Sequence, residues 1–155
     1  MRDMPLEKIP LSINGVATTL SSDPSATLID SLRNQLELVG TRQGCGLEQC
    51  GACRVLVDGE PAFACTLKVS ECAGSEITTI ESTDPILDKL RSAFMAFNAG
   101  QCGFCLSGIL ISALHLLRHN PSPDREDVKT ALDNHLCRCG AHNRIINAVL
   151  KAAGS

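Results

Sequence analysis

The chain has 155 residues and a mass of 16.5 kDa, which is enough for one domain or two small ones. Its formal net charge is −3, Trp and Tyr are absent, and the sequence holds no Lys/Arg cluster, which argues against nucleic acid as a partner. The sequence contains no apolar run long enough to span a membrane, and residues 1–24 contain no signal-peptide core. We therefore expect a soluble, cytoplasmic protein, with export alongside a partner as the alternative.

The N-terminal residues carry the signals of a β-hairpin followed by a helix. Alternating apolar residues on either side of Asn14-Gly15 predict two strands joined by a tight turn. Thr27, with Asp30 three residues later, predicts the N-terminal cap of a helix that ends before Gly40. The buried face of this helix is expected to contain Leu28, Leu32 and Leu36.

A loop rich in cysteine and glycine follows this helix, at residues 43–53. Its cysteines have the spacing Cys-x4-Cys-x2-Cys, and another cysteine follows at a distance, which is the known plant-type arrangement for a [2Fe–2S] cluster. The neighbouring glycines let the backbone curl tightly and turn its N–H groups towards anionic sulfurs. We assign this first cluster to Cys45, Cys50, Cys53 and Cys65.

Two other uses of these thiols compete with the cluster. Four thiolates also suit a structural zinc ion, but zinc sites usually show paired Cys-x2-4-Cys knuckles rather than three unevenly spaced thiols. A secreted chain of this size could form disulfides, yet the total of nine cysteines is odd and the spacing is tight. The loop therefore favours iron and sulfide over both alternatives.

A second hairpin is predicted directly after the cysteine loop. Val55 to Val57, the dipeptide Asp58-Gly59 and the segment Ala62 to Cys65 predict two strands and a turn, so this hairpin would carry the fourth ligand. Residues Ile77 to Ile80 are expected to form a last strand. Two hairpins and one helix predict a small mixed sheet with a helix across it.

Apolar residues then recur at helical spacing in four segments. The first two segments are residues 84–98 and 105–119, and Ser122-Pro123 marks the start of the third. The residues expected to face inward are Leu87, Leu90, Phe94, Phe97, Leu106, Ile109, Leu110, Ala113, Leu114, Leu117, Val128, Leu132, Leu136, Ile145, Ile146, Val149 and Leu150. We expect an α+β fold, with one domain at residues 1–82 and a four-helix bundle at residues 83–155.

The helical half carries a second set of cysteines, in the patterns Cys102-x2-Cys105 and Cys137-x-Cys139. Each pair is expected at a helix end or between helices, so two corners of the bundle can bring four thiols together. Cys105 is expected at a helix N-terminus, where the dipole favours a thiolate. Zinc competes for this set as well. Because a cluster motif already precedes it, we assign the set to a second [2Fe–2S] cluster, which would complete an electron-transfer path.

With both cysteine sets in this order, the chain resembles the small iron–sulfur subunit of the molybdenum hydroxylases, the xanthine dehydrogenase and aldehyde oxidoreductase family. The resemblance covers about residues 8–152. Its motifs are Gly44-Cys45-Gly46, Gln49-Cys50-Gly51-Ala52-Cys53, Gln101-Cys102-Gly103-Phe104-Cys105 and Leu136-Cys137-Arg138-Cys139. The resemblance implies a β-grasp plant-type ferredoxin domain followed by a helical [2Fe–2S] domain.

The resemblance also implies a role for each set. The second set would hold the cluster nearer to a molybdenum–pterin cofactor in a large partner subunit, and the first set the cluster nearer to the outgoing acceptor. Gln101 and Cys139 match family positions close to the pterin. For Gln101 the alternative is a polar residue that caps backbone groups at a helix end. This chain has no catalytic motif of its own, so substrate would be transformed in the partner.

Two stretches resemble one branch of the family. Gln49 stands where many members have glycine, and Gly140-Ala141-His142 replaces a Thr-Gly-Tyr type run. Both are similar to the two-subunit branch that includes isoquinoline oxidoreductase and some nicotinate dehydrogenases. Members of that branch lack a flavin subunit and tend to pass electrons to cytochromes, so the resemblance favours a cytochrome and leaves a flavin as the alternative acceptor. It also implies an N-heteroaromatic substrate such as nicotinate or isoquinoline, or an aldehyde.

The sequence thus predicts the electron-transfer subunit of a molybdenum-dependent oxidoreductase, which passes single electrons from a large subunit to a cytochrome or a flavin. A free-standing ferredoxin that shuttles between enzymes is the first alternative. A zinc-stabilised interaction module is the second.

Several remaining residues of chemical interest receive structural interpretations. Cys72 is left over from the two sets and is expected to be a free thiol in a connecting loop. His115 and His119 are four residues apart on a helix, which suits a metal, but no third ligand stands near them in the sequence, so we expect partly exposed helix-face residues. His135 and His142 flank the last cysteine pair and either hydrogen-bond towards a cluster or simply pack.

Overall fold

The computed structural model describes residues 6–154, which form a mixed sheet and a group of helices. The strands are β1 (Glu7–Ile13), β2 (Val16–Ser22), β3 (Arg54–Val57), β4 (Glu60–Phe63) and β5 (Glu76–Thr78). The α-helices are α1 (Leu28–Asn34), α2 (Pro85–Ala96), α3 (Leu106–His119), α4 (Arg125–Leu132) and α5 (His142–Ala153), and a short 3-10 helix spans Val69–Cys72. The expected α+β architecture is confirmed.

The five strands lie in the order β2-β1-β5-β3-β4. Both hairpins turn where the sequence predicted, because Asn14 and Gly15, like Asp58 and Gly59, adopt the left-handed backbone conformation that a two-residue hairpin turn requires. The last strand, β5, inserts between the hairpins, parallel to β1 and antiparallel to β3. This insertion turns two separate hairpins into one sheet.

Helix α1 crosses the sheet and begins at the predicted cap. The Thr27 hydroxyl accepts a hydrogen bond from the Asp30 backbone N–H at 3.3 Å, which satisfies one of the free N–H groups of the first turn. Leu28 and Leu32 are fully buried under the sheet. Leu36 lies beyond the end of the helix at Asn34 and packs against this core only partly.

The helices α2 to α5 surround a second hydrophobic core, as predicted. Three details differ from the expectation. Helix α4 begins at Arg125 rather than at Ser122-Pro123, because the Asp124 side chain caps its first turn. Phe97 and Leu136 were expected to face inward, but both are exposed. Each follows the end of its helix, where the helical repeat no longer fixes the direction of the side chain.

The sheet and the helices pack closely along α3. Leu56 of β3 is fully buried among the residues of the helical core. The backbone of α3 approaches the cysteine loop so closely that a Cβ atom on Gly108 would collide with the Gly51 carbonyl oxygen. The Ser107 hydroxyl also donates to the Ala52 carbonyl at 3.3 Å. Both cysteine-bearing regions therefore meet at this contact.

Among residues 6–154, none of the helices combines the length and the apolar character needed to cross a membrane.

Candidate metal centres

The four thiols of the first set come together beside the sheet. The Cys45 backbone N–H donates to the Cys50 sulfur at 3.3 Å, and the thiols of Cys45 and Cys50 also interact. Cys53 interacts with both Cys50 and Cys65. The loop supplies three of these thiols, and the fourth follows the end of β4. Interactions between neighbouring thiols thus link all four cysteines of the first set.

The loop backbone surrounds these sulfurs with N–H groups and leaves room for them. The N–H groups of Leu47 and Gln49 donate to the Cys45 sulfur at 3.3 Å and 3.2 Å, and together they lower the pKa of the exposed Cys45 thiol to about 7. A Cβ atom on Gly44 would lie 2.7 Å from the Cys50 sulfur, so only glycine leaves that space free. The loop is built to stabilise sulfur anions.

Cys53 sits deeper than Cys45 and ionises differently. It is 1% exposed, and burial raises the pKa of its thiol to about 12. A thiolate at this position therefore needs a compensating positive charge, which a metal ion supplies. The donor set fits a metal centre for this reason, and not only because of its spacing.

The second set gathers in the same way from two corners of the helical part. Cys102 and Cys105 lie in the turn before α3, and Cys137 and Cys139 lie in the connection between α4 and α5. The thiol of Cys102 interacts with Cys139 and Cys137, and that of Cys105 interacts with Cys137. The structure therefore brings the predicted second quartet together.

Within the second set, the pKa values of the exposed and the buried thiols again shift in opposite directions. The Phe104 backbone N–H lowers the pKa of Cys102. At Cys137, burial opposes ionisation, but N–H groups led by that of Ala141 outweigh it and lower the pKa. Cys105 lies at the N-terminus of α3 as predicted, yet burial raises the pKa of its thiol to about 12. At this position desolvation outweighs the backbone N–H groups that favour a thiolate.

One backbone hydrogen bond joins the two cysteine regions. The N–H of Leu136 donates to the carbonyl of Cys50 at 3.1 Å, and Leu136 directly precedes Cys137. His135 lies buried beside this bond, where its Nε2 is 2.7 Å from the Ser112 hydroxyl. Desolvation lowers the pKa of His135 to about 4, so the ring is neutral at neutral pH. Of the two interpretations of His135, packing at the junction is the one that the structure supports.

Arg54 is a charged neighbour of the first set that sequence analysis missed. Its guanidinium stacks on the Phe63 ring, 3.7 Å from the ring centroid, and lies near the Cys53 thiol. Burial is the main cause that lowers the pKa of this arginine. The signal available in the sequence was the hairpin register, which pairs Arg54 with Phe63 across β3 and β4.

Gln101 and Cys139 are adjacent in the structure. The Gln101 side-chain amide donates to the Cys139 carbonyl at 3.1 Å, and Gln101 is exposed. This bond agrees with the capping alternative, and it also holds the amide at the surface next to the second set.

Cys72 lies apart from both sets. It is fully buried in the 3-10 helix under the sheet, and burial raises the pKa of its thiol to about 11. It is therefore a core residue rather than a loop thiol.

Two family models and several known proteins match this chain. A 2Fe-2S iron-sulfur cluster binding domain matches residues 11–76, and a [2Fe-2S] binding domain matches residues 77–150. The nicotine 6-hydroxylase small subunit of Paenarthrobacter nicotinovorans is 42% identical over 95% of this chain and 90% of its own length. One of the subunits of nicotinate dehydrogenase from Pseudomonas putida is 40% identical over 94% of each chain.

Solved structures share the whole fold. A chain of quinoline 2-oxidoreductase from Pseudomonas putida 86 superposes with a TM-score of 0.90 at 36% identity, over 96% of this chain and 93% of that one. The aldehyde oxidoreductase from Desulfovibrio desulfuricans gives a TM-score of 0.90 at 39% identity, and there the match spans 17% of a longer chain. Together with the cluster-binding family models and the two relatives from nicotine and nicotinate enzymes, these matches show that the chain belongs to the small iron–sulfur subunits of the molybdenum hydroxylases.

Proposed function

We propose that this chain relays electrons through two [2Fe–2S] clusters, from a molybdenum–pterin cofactor in a large partner subunit to an external acceptor. Cys45, Cys50, Cys53 and Cys65 would hold the first cluster, and Cys102, Cys105, Cys137 and Cys139 the second. Each cluster, when bound, supplies one-electron redox chemistry. The observation that carries the proposal is the Leu136 to Cys50 hydrogen bond, which connects two convergent four-thiol sets.

The residues of this chain would position the clusters and tune their potentials. The Leu47 and Gln49 N–H groups stabilise negative charge on the Cys45 sulfur, which favours the reduced state of the first cluster. The nearby Arg54 guanidinium acts in the same direction. The buried Cys53 and Cys105 keep part of each cluster away from water.

The surface around the cysteines supports a role within a complex rather than as a free-standing ferredoxin. Phe104 and Leu136 project from the two corners that carry the second set, and Met95 and Phe97 are exposed near Gln101 at the end of α2. Large apolar side chains exposed together are typical of surfaces that bind another protein. We place the large subunit on this side, with Gln101 and Cys139 towards its pterin.

The identity of the substrate and of the acceptor is proposed from the relatives. Nicotine 6-hydroxylase, nicotinate dehydrogenase and isoquinoline 1-oxidoreductase are named for N-heteroaromatic compounds, and each of them has a chain that is 40% or more identical to this one. An N-heteroaromatic substrate is therefore favoured for the complex, with an aldehyde as the alternative. Gln49 and Gly140-Ala141-His142 favour a cytochrome over a flavin as acceptor.

Iron and sulfide analysis, combined with electron paramagnetic resonance after anaerobic reduction, tests the cluster assignment. We expect about four irons per chain and two separable [2Fe–2S] signals. Cys50→Ser should remove one signal and spare the other, and Cys105→Ser should do the reverse. Loss of both signals in either folded variant would contradict the separate quartets, and zinc without iron would support the zinc module.

Co-purification distinguishes a member of a complex from a free shuttle. When the chain is co-expressed with the large subunit of a relative such as nicotinate dehydrogenase, the two should elute together as one complex. The chain would then reoxidise the molybdenum centre in stopped-flow experiments. Elution as a monomer that, once chemically reduced, passes its electrons to a cytochrome without the large subunit would favour the ferredoxin alternative.

A further inference from the structure

Three potential metal ligands converge at the C-terminal end of α3, apart from the cysteine sets. Glu60 is the first residue of β4, and His115 and His119 occupy the last two turns of α3. A carboxylate oxygen and one nitrogen of each ring lie within 4.8 Å of one another. The sequence shows no third ligand beside the histidine pair, because Glu60 is distant in the sequence and only the packing of the second hairpin on α3 brings it near.

Both histidine rings are held in place by hydrogen bonds to backbone carbonyl oxygens. The Nδ1 atom of His115 lies 3.1 Å from the Gly59 carbonyl oxygen, and the Nδ1 atom of His119 lies 2.9 Å from the His115 carbonyl oxygen. A carbonyl oxygen only accepts, so each Nδ1 must carry the proton. The Nε2 atom of each neutral ring then keeps a free lone pair. A backbone carbonyl in this position is a common partner of metal-binding histidines, since it fixes both tautomer and ring orientation.

The local charges favour a cation as well. The last backbone carbonyls of a helix carry partial negative charge, and both histidines lie at that end of α3. The Glu60 carboxylate adds a full negative charge, and within residues 6–154 it forms no hydrogen bond or ion pair. The neighbouring Arg118 does not compete for it, because its guanidinium is paired with Asp84 at 2.8 Å.

We propose that Glu60, His115 and His119 bind one zinc ion, with water at the fourth position. Two imidazoles and one carboxylate form a ligand set that zinc takes in proteins, with bonds of about 2.0–2.2 Å. The exposed Glu60 and His119 side chains have room to close on the ion, while His115 is half-buried and stays in place. The ion would crosslink the β3–β4 hairpin and α3. It would thereby stabilise the packing of the sheet, which carries the first cysteine set, against the helix that begins at the second cysteine set.

Zinc titration of the full chain, with both iron–sulfur clusters loaded, tests this site. Loaded clusters occupy the cysteines, so calorimetry and elemental analysis should find one zinc per chain while the visible cluster absorbance and the iron content stay unchanged. His119→Gln and Glu60→Gln should each weaken zinc binding by at least about tenfold, the effect typical of losing a metal-site interaction. Both residues are exposed, so neither change threatens folding.

His142→Gln provides the matched control, because His142 is another exposed histidine at a helix end but lies outside this group. It should bind zinc with the affinity of the unmodified chain. Hydrogen exchange should also show that zinc slows exchange at the β3–β4 turn in the unmodified chain and in the control, but not in His119→Gln. Equal affinity in all variants, or zinc uptake that releases iron, would overturn the proposal.

Discussion

The backbone N–H of Leu136 donates to the carbonyl oxygen of Cys50 at 3.1 Å, so the two cysteine regions are separated by one hydrogen bond and one peptide unit. The bond exists because the connection between α4 and α5 lies directly against the first cysteine loop. Gly51 of that loop faces His135 and Asn134, and no side chain intervenes. This junction fixes the distance between the two proposed clusters, and changes at it should affect both stability and electron transfer.

Gly51→Ala should destabilise the junction. A Cβ atom at this position would collide with the His135 ring and lie 2.5 Å from the Asn134 carbonyl oxygen. Together with the strain of a left-handed alanine, we expect a loss of about 2–4 kcal/mol in the free energy of unfolding. Electron transfer between the clusters should slow as the loops move apart. Chemical denaturation and rapid-freeze electron paramagnetic resonance measure the two effects.

Gly74→Ala is the control for this change. Gly74 has φ +81°, close to the +74° of Gly51, but its Cβ position is open. Gly74→Ala should lower the free energy of unfolding by about 1–2 kcal/mol through backbone strain, and it should leave electron transfer unchanged. Equal losses in the two variants would mean that the junction contact contributes nothing.

Gln101→Ala should leave both clusters in place but weaken coupling to the large subunit. The exposed amide bonds only to the Cys139 carbonyl within residues 6–154, so its removal should change iron content and thermal stability little. In the assembled enzyme, we expect turnover to fall at least about tenfold, as for other groups that support a redox centre from outside its ligands. Gln35→Ala, the same change far from the second set, should have no effect on turnover. Unchanged turnover in Gln101→Ala would leave only the capping role.

Asp84 should stabilise the helical half through two interactions. Its carboxylate caps α2 by accepting from the Ile86 N–H at 2.7 Å, and it pairs with Arg118 at 2.8 Å. Partial burial raises the pKa of Asp84, but the Arg118 and backbone N–H bonds outweigh it, so the folded pKa lies below 3.8. The resulting stability is fully present above pH 3.8 and is lost as the pH falls through the folded value.

Two substitutions separate these contributions. Asp84→Asn keeps a capping side chain. It should lower the free energy of unfolding by about 0.5–1 kcal/mol at neutral pH, because the ion pair with Arg118 is lost. Asp84→Ala should cost about 1 kcal/mol more because it also removes the cap. Thermal unfolding of both variants, each combined with Arg118→Ala in a double-mutant cycle, measures the pair. No coupling between Asp84 and Arg118 would show that solvent screens the pair completely.

Cys72 should be chemically inert in the folded chain. It is fully buried and its thiol pKa is raised to about 11 by burial, so little thiolate forms at neutral pH and no reagent reaches it. Iodoacetamide should leave Cys72 unmodified in the native protein and alkylate it after unfolding in guanidinium, as read by peptide mass spectrometry. Rapid modification in the native state would instead point to a regulatory thiol.

Local patterns in the sequence predicted most of the elements. Asn14-Gly15 and Asp58-Gly59 specify their turns because few other residues adopt two successive left-handed conformations, and Thr27 with Asp30 specifies a helix start through a single hydrogen bond. The cysteine spacings predicted both four-thiol sets, since the ligands of one small cluster must come from tightly curled segments. The prediction failed at Phe97 and Leu136, which follow the ends of their helices, and at Ser122-Pro123, which precedes one, because periodicity no longer determines direction there. It also failed at Cys72, which is a buried core residue rather than a loop thiol.

Only the tertiary structure decided how distant segments meet. The Leu136 bond to Cys50, the buried Cys105 with its raised pKa, and the approach of Glu60 to His115 and His119 all arise where the sheet packs on α3. These contacts join residues far apart in sequence, so no local pattern encodes them, and desolvation of a thiol depends on the complete set of atoms around it. The sequence by itself determined which residues could bind metal, while packing decided which of them come together and with what charge.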